Sequence, residues 1–275
     1  MDRRNPCPWG MSLCFKCNLL QHTHKRVRIA MEAQSFLIVI ATGIAVMLIS
    51  TMLDHLWAQV SPLRIFYYLI RAPGVIVHEC SHILGCLVTG AAITDVVFFS
   101  KEGGSVSYTR PKIPVLGDVI ISSAPLFCIP LVLTGLTWCF SQFLGCTFPA
   151  FPVSIDSAGT LHDLAAEIVA LFSLNLVTAF HPWFLVYLYL TLSLVLSVAP
   201  SHQDIRNAAI GIVLIALSGL LIVLSAVPWA VGVLWEITSV IGMGFALGLT
   251  FGLIALVISL PPLAWYVCTH RPRGA

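Results

Sequence analysis

Pro73–Gly90, PGVIVHECSHILGCLVTG, is an apolar stretch that carries His78, Glu79 and His82 in the order His-Glu-x-x-His. On a helix His78 and His82 stand one turn apart on one face, with Cβ atoms about 6 Å apart. Two imidazoles at that spacing can bind one Zn²⁺. Glu79 sits roughly 100° around the helix, where a carboxylate can take a proton from a zinc-activated water. With nine histidines and five glutamates in 275 residues, a chance match of this pattern is expected about once in 200 such chains. Three ionisable groups within five residues of a membrane helix also need a compensating partner, and a metal supplies one. The competing reading is a polar patch lining a water-filled transporter cavity.

Composition fixes the setting. The chain is 58% hydrophobic and 9% charged, with a mean hydropathy of +0.95, far more apolar than a soluble domain. We therefore expect an all-α polytopic membrane protein. The net charge of +2 gives no basis for a nucleic-acid partner. Five of the nine cysteines (Cys80, Cys86, Cys128, Cys139, Cys268) lie in apolar runs and read as small buried hydrophobes.

The expected order along the chain has six transmembrane helices. Residues 1–34 form a basic arm, expected to be disordered, whose Cys14-x-x-Cys17 and His22-x-His24 only faintly suggest a metal knuckle. A transmembrane domain over 35–267 follows, then a short basic tail at 268–275. Spans are expected at 35–53, 63–90 (kinked at Pro73, with Arg64 and Arg71 snorkelling at its start), 117–140, 183–199, 207–227 and 237–267. The apolar run 164–199 would be about 54 Å long as a helix, too long for one crossing of a 30 Å core. His181-Pro182 is the expected break, with 164–180 lying on or re-entering the membrane. Six spans put 12 of the 14 Lys and Arg on one side. The positive-inside rule makes that side cytoplasmic, with both termini on it and the protein multi-pass in the cell membrane.

Ile93–Tyr108, ITDVVFFSKEGGSVSY, breaks the helical pattern. Val96–Phe99 favour a strand and Gly103-Gly104 a turn. A β-hairpin is expected after the metal helix, on the cytoplasmic side, where its edge could pair with an extended peptide substrate.

A catalytic zinc site needs a third protein ligand. Asp204, in the turn Ser197–Asp204 after the fourth span, is the leading candidate. It competes with a simpler role, because Ser201-x-x-Asp204 also resembles a capping box. Glu167, His181 and His202 are the remaining candidates.

His-Glu-x-x-His in a membrane helix, a Gly-Gly hairpin after it and a Pro200…Asp204 turn near a later span resemble the site-2 protease family of intramembrane zinc metalloproteases. The resemblance covers roughly residues 64–206. It implies a three-span core, one Zn²⁺ per chain held by His78, His82 and Asp204, and Glu79 as the catalytic base. The second motif departs from the family's: Ser197 stands in place of Asn, and Ile205 in place of Gly. The function expected is a zinc-dependent endopeptidase that cuts a transmembrane or membrane-proximal peptide bond. A glutamate-ligand membrane protease, a catalytically inactive relative and a metal transporter are the alternatives. The scarcity of ionisable groups in the other spans favours the enzyme over the transporter.

Overall fold

The computed structural model describes residues 11–61, 64–99, 104–152, 154–155, 157–225 and 227–269; for 11–35, Arg64, Ala158, Ala208 and Ile212 it describes the backbone alone. Among the described residues the regular structure is helical apart from one two-stranded antiparallel sheet. Its elements are α1 (Met11–Val60), α2 (Arg64–Thr89), β1 (Ile93–Val97), β2 (Ser105–Tyr108), α3 (Pro114–Leu144), α4 (Ala158–Phe172, continued by π-helical turns over Ser173–Thr178), α5 (Pro182–Leu196), α6 (His202–Ser225) and α7 (Pro228–Thr269). Among the described residues, five helices are long and apolar enough to cross a membrane: Phe36–Val60, Ile65–Thr89, Pro114–Leu144, Gly159–Thr178 and Pro228–Thr269. Large apolar side chains such as Leu37, Ile44, Leu48 and Met52 point outward along α1, as a lipid-facing stripe requires.

α2 is the axis of the fold, and its irregular residues explain how its neighbours pack. Pro73 has no N–H, so the Leu69 carbonyl four residues earlier has no donor within the helix. Tyr189 of α5 donates to that carbonyl at 2.9 Å, and the Gly74 N–H donates to Ser193 Oγ at 2.9 Å. Re-satisfying a kinked helix from a neighbour is what lets proline persist inside a membrane. At Gly74 a Cβ would lie 2.0 Å from the Ser193 carbonyl, and at Gly85 one would lie 2.9 Å from Ile121 Cα. These two glycines let the backbones of α5 and α3 press against α2 on either side of the His-Glu-x-x-His turns. Gly90, with φ +68°, ends the helix, and the Ala91 N–H closes it on the Cys86 carbonyl at 3.0 Å.

The packing seams fix the direction of each helix. Tyr189, Ser193 and Ser197 of α5 meet Leu69, Gly74 and His78 of α2 in that order, so the two run parallel. α3 is antiparallel to α2, because Ile121 meets Gly85 and Gly117 approaches Thr89. Gly211 of α6 packs on Val115 and Val119, while Asp204 at its start lies beside His82. α6 therefore runs opposite to α3 and in the same direction as α5. Val39, Gly43, Val46 and Ile49 of α1 meet Gly242, Phe245, Gly248 and Gly252 of α7 in order, and Trp57 Nε1 donates to Ser259 Oγ. α1 and α7 are thus parallel.

These directions correct two expectations. The segments 183–199 and 207–227 are not two opposed spans. α5 has 15 residues, about 22 Å, too short to traverse a 30 Å core. α6 continues the same leg after a break at Ser197–Ser201. With α5 and α6 counted as one leg and α4 set aside, α1, α2, α3, α5–α6 and α7 make five legs, a different set from the five long apolar helices, and Phe36 and Thr269 lie at opposite ends of the α1–α7 seam, not together. The expected loop between 227 and 237 is also absent, because α7 is helical from Pro228.

The excursion between α3 and α5 begins and ends at one place. His181 lies against Gly145 and Cys146, and Asn175 exchanges hydrogen bonds with the Thr147 backbone at 3.0 and 2.6 Å. The chain breaks at Ala179–His181, as His181-Pro182 implied, and α5 starts with proline in its first turn. At the N-terminus the backbone is helical from Met11, where a disordered arm was expected. No Pro or Gly interrupts 11–42, and extending an existing helix needs no new nucleus. Residues 1–10 and 270–275, and the side chains of Cys14, Cys17, His22 and His24, lie outside the described residues.

Candidate metal centre

His78, Glu79 and His82 project from α2 into the middle of the bundle, where they are 8%, 4% and 5% exposed. Each imidazole is held by a backbone carbonyl from a different neighbour. His78 Nδ1 donates to the Ser197 carbonyl at 2.5 Å, at the end of α5, and His82 Nδ1 donates to the Ile121 carbonyl of α3 at 2.8 Å. A carbonyl can only accept, so both Nδ1 atoms carry their protons, and in the neutral ring each Nε2 presents its lone pair inward.

Those lone pairs meet. His78 Nε2 and His82 Nε2 are 3.1 Å apart. The Asp204 carboxylate completes the group, with Oδ1 3.5 Å from His82 Nε2 and Oδ2 3.9 Å from His78 Nε2. One ligand atom from each of the three lies within 4.8 Å of the others. Three groups that can each present a lone pair converge on one point, an arrangement that a shared proton or a shared cation holds together. Glu79 is not in this group, and its buried Oε2 has no hydrogen-bond partner among the described residues. Two histidines and one carboxylate, each histidine fixed through its other nitrogen, form a donor set suited to a divalent metal, and the neighbouring orphaned carboxylate oxygen leaves room for a water.

Asp204 also caps α6. Ser201 N and Oγ donate to its Oδ2 at 2.8 and 2.6 Å, and the Asp204 N–H donates to Ser201 Oγ at 3.2 Å. This is a closed capping box at the start of α6. The cap role, an alternative to the ligand role in sequence, does not exclude it: the same cap fixes the carboxylate that faces the histidines.

His78 and Glu79 face a cavity of about 290 Å³ that is also lined by Asp54, Arg71, Gly104 and Ser201, while His82 and Asp204 lie behind its wall. Arg71 does not snorkel. Its Nε lies 3.4 Å from Asp54 Oδ1, and Tyr67 joins the two, receiving from Arg71 Nη1 at 3.2 Å and donating to Asp54 at 2.7 Å. A half-buried, paired charge in the cavity wall is a feature the sequence reading missed. Ser50 was missed as well: it donates to the Val195 carbonyl and accepts from the Ala199 N–H, tying α1 to the turn that bears Asp204.

The hairpin reaches the same cavity. β1 and β2 pair with Val96 opposite Val106, and the register slips between Ile93 and Asp95. β1 ends at Val97, two residues before Phe99. Gly104, just before β2, rests on the Glu79 side chain so closely that a Cβ there would lie 2.5 Å from Oε1. Burial raises the pKa of the Tyr108 phenol at the far end of β2.

Of the other ligand candidates, His202 lines the cavity but is not in the converging group. His181 packs at the far end of α3 beside Cys146, and Glu167 belongs to α4, outside the group. Comparison with family models, curated proteins and solved structures finds no match.

Proposed function

We propose that this protein is a zinc-dependent intramembrane endopeptidase of the site-2 protease type, cutting a transmembrane or membrane-proximal peptide bond. The observation that carries the reading is the convergence of two histidine Nε2 atoms and a carboxylate, beside a second buried carboxylate, at the break of a helical leg. His78, His82 and Asp204 would hold one Zn²⁺ per chain. When bound, zinc supplies Lewis acidity toward a carbonyl and acidifies water toward neutrality. Glu79 takes the proton of the attacking water and delivers it to the leaving amine. Ser197 and Ile121 keep both imidazoles in one tautomer throughout. The peptide enters the cavity in extended form, and the free edge of the hairpin Ile93–Tyr108 supports β-pairing with it.

Orientation follows from the same frame. The N-terminal stretch and the hairpin connection hold nine of the 14 Lys and Arg, so their end of the bundle is cytoplasmic. An odd number of legs then takes the C-terminus to the opposite side. The return of 145–181 to its starting point supports a re-entrant or lying α4 that adds no crossing.

Glu79→Gln separates chemistry from binding. Zinc content should match the wild type while cleavage of a co-expressed membrane reporter falls by at least about 10²-fold, since general-base help contributes about 10²–10⁴. Near-normal turnover would refute the mechanism.

A further inference from the structure

We infer that Pro125 is a positioning residue for the metal centre, because it frees the Ile121 carbonyl that holds His82. In a regular α3 the N–H of residue 125 would donate to the carbonyl of residue 121. Proline has no N–H, and its ring pushes against the carbonyl four residues earlier, displacing it from the helix axis. That carbonyl belongs to Ile121, whose side chain is 1% exposed, so no water replaces the missing donor. The donor it receives is His82 Nδ1 at 2.8 Å.

The approach that makes this bond possible is built into α2. Gly85 stands three residues after His82, and a Cβ there would come within 2.9 Å of Ile121 Cα. Gly85 brings the α3 backbone close, and Pro125 supplies a carbonyl with a vacant lone pair directed at the imidazole. The α2 kink follows the same logic, since the Leu69 carbonyl freed by Pro73 takes the Tyr189 hydroxyl. At α3 the acceptor left by a proline is used to fix the tautomer of a candidate ligand, and the order of such a bond sets metal affinity. This inference rests on the three-ligand reading of the centre and goes beyond it, naming a residue that touches neither metal nor substrate.

The test measures zinc dissociation constants by chelator competition on the full-length protein in detergent, with the thermal midpoint of the metal-free form recorded in parallel. Pro125→Ala restores the N–H and lets the Ile121 carbonyl swing back to the helix. It should weaken zinc binding by about 10- to 100-fold while the metal-free midpoint stays level or rises. Pro130→Ala is the control: it makes the same change in the same helix, but the Leu126 carbonyl it would reclaim holds neither ligand histidine, and zinc affinity should change less than threefold. Gly85→Ala pushes Ile121 away without touching a proline and should reproduce the zinc loss; it carries the test if Pro125→Ala does not fold. ¹⁵N spectra of histidine-labelled metal-free protein should show His82 shifting from the Nδ1–H form to a tautomer mixture in Pro125→Ala. Wild-type affinity in both Pro125→Ala and Gly85→Ala, or an equal loss in Pro130→Ala, overturns the assignment. Loss of zinc in His78→Ala alongside wild-type affinity in both Pro125→Ala and Gly85→Ala would leave the centre standing and remove only the role of Pro125.

Discussion

Gly104→Ala is the smallest perturbation that reaches the proposed base without touching a ligand. A methyl at this position would lie 2.5 Å from Glu79 Oε1, 2.6 Å from Cγ and 2.8 Å from Cδ. Ordinary contacts of this kind need about 3.5 Å or more, so the hairpin or the Glu79 side chain must give way by about 1 Å. Glu79 is packed at 4% exposure, and turning it off its rotamer by about 30° costs about 0.5–1.5 kcal/mol. Lifting the hairpin instead detaches Gly104 from the cavity wall. Either way the carboxylate is displaced by about 1 Å from its working position, a shift that can cost about 10²-fold in rate. The ligands His78, His82 and Asp204 are untouched, so zinc content should remain one per chain. The assay is initial-rate cleavage of a reporter in proteoliposomes, with metal measured by mass spectrometry on the same samples. Gly104→Ala cleaving within threefold of wild type would refute the close packing of the hairpin on the base. Loss of zinc in step with activity would instead place Gly104 in the support of the metal.

Three further outcomes are expected. Asp204→Asn keeps a capping residue of similar quality but removes the anion facing the histidines, so folding should be nearly unchanged while zinc retention falls at least tenfold; Ser201→Ala, which loses the cap oxygen, should cost about 1 kcal/mol of stability and retain the metal. Ser50→Ala removes a buried hydroxyl that donates to the Val195 carbonyl and accepts from the Ala199 N–H and should lower stability by about 1–3 kcal/mol, read by thermal unfolding in detergent, and an unchanged midpoint would contradict the tie between α1 and the Asp204 turn. Epitope tags at the two termini should be accessible from opposite faces of sealed vesicles, and access from one face would contradict the five-leg bundle.

The sequence alone determined what composition and local spacing can determine. Apolar runs separated by Pro, Gly and charge marked a membrane protein, since each run must satisfy its backbone within itself. The i, i+4 histidines read directly as one helix face, and Gly103-Gly104 marked the hairpin. Proline signatures were legible in part: Pro73 announced a kink, and His181-Pro182 a break. The sequence could not say where the freed carbonyls point, because a proline's effect inside one helix is completed by a donor from another. Tertiary structure alone turned the Leu69, Ile121 and Ser197 carbonyls toward Tyr189, His82 and His78. It also decided that 183–199 and 207–227 form one leg. Hydropathy counts apolar runs but carries no sign of direction, so two short helices pointing the same way look the same as two opposed spans. Asp204 illustrates the boundary between the two. Its capping role follows from a neighbour three residues away, whereas its place beside the histidines depends on α2 meeting α5 at Gly74, across 119 residues, and α3 near Gly85, where His82 and Ile121 are 39 residues apart.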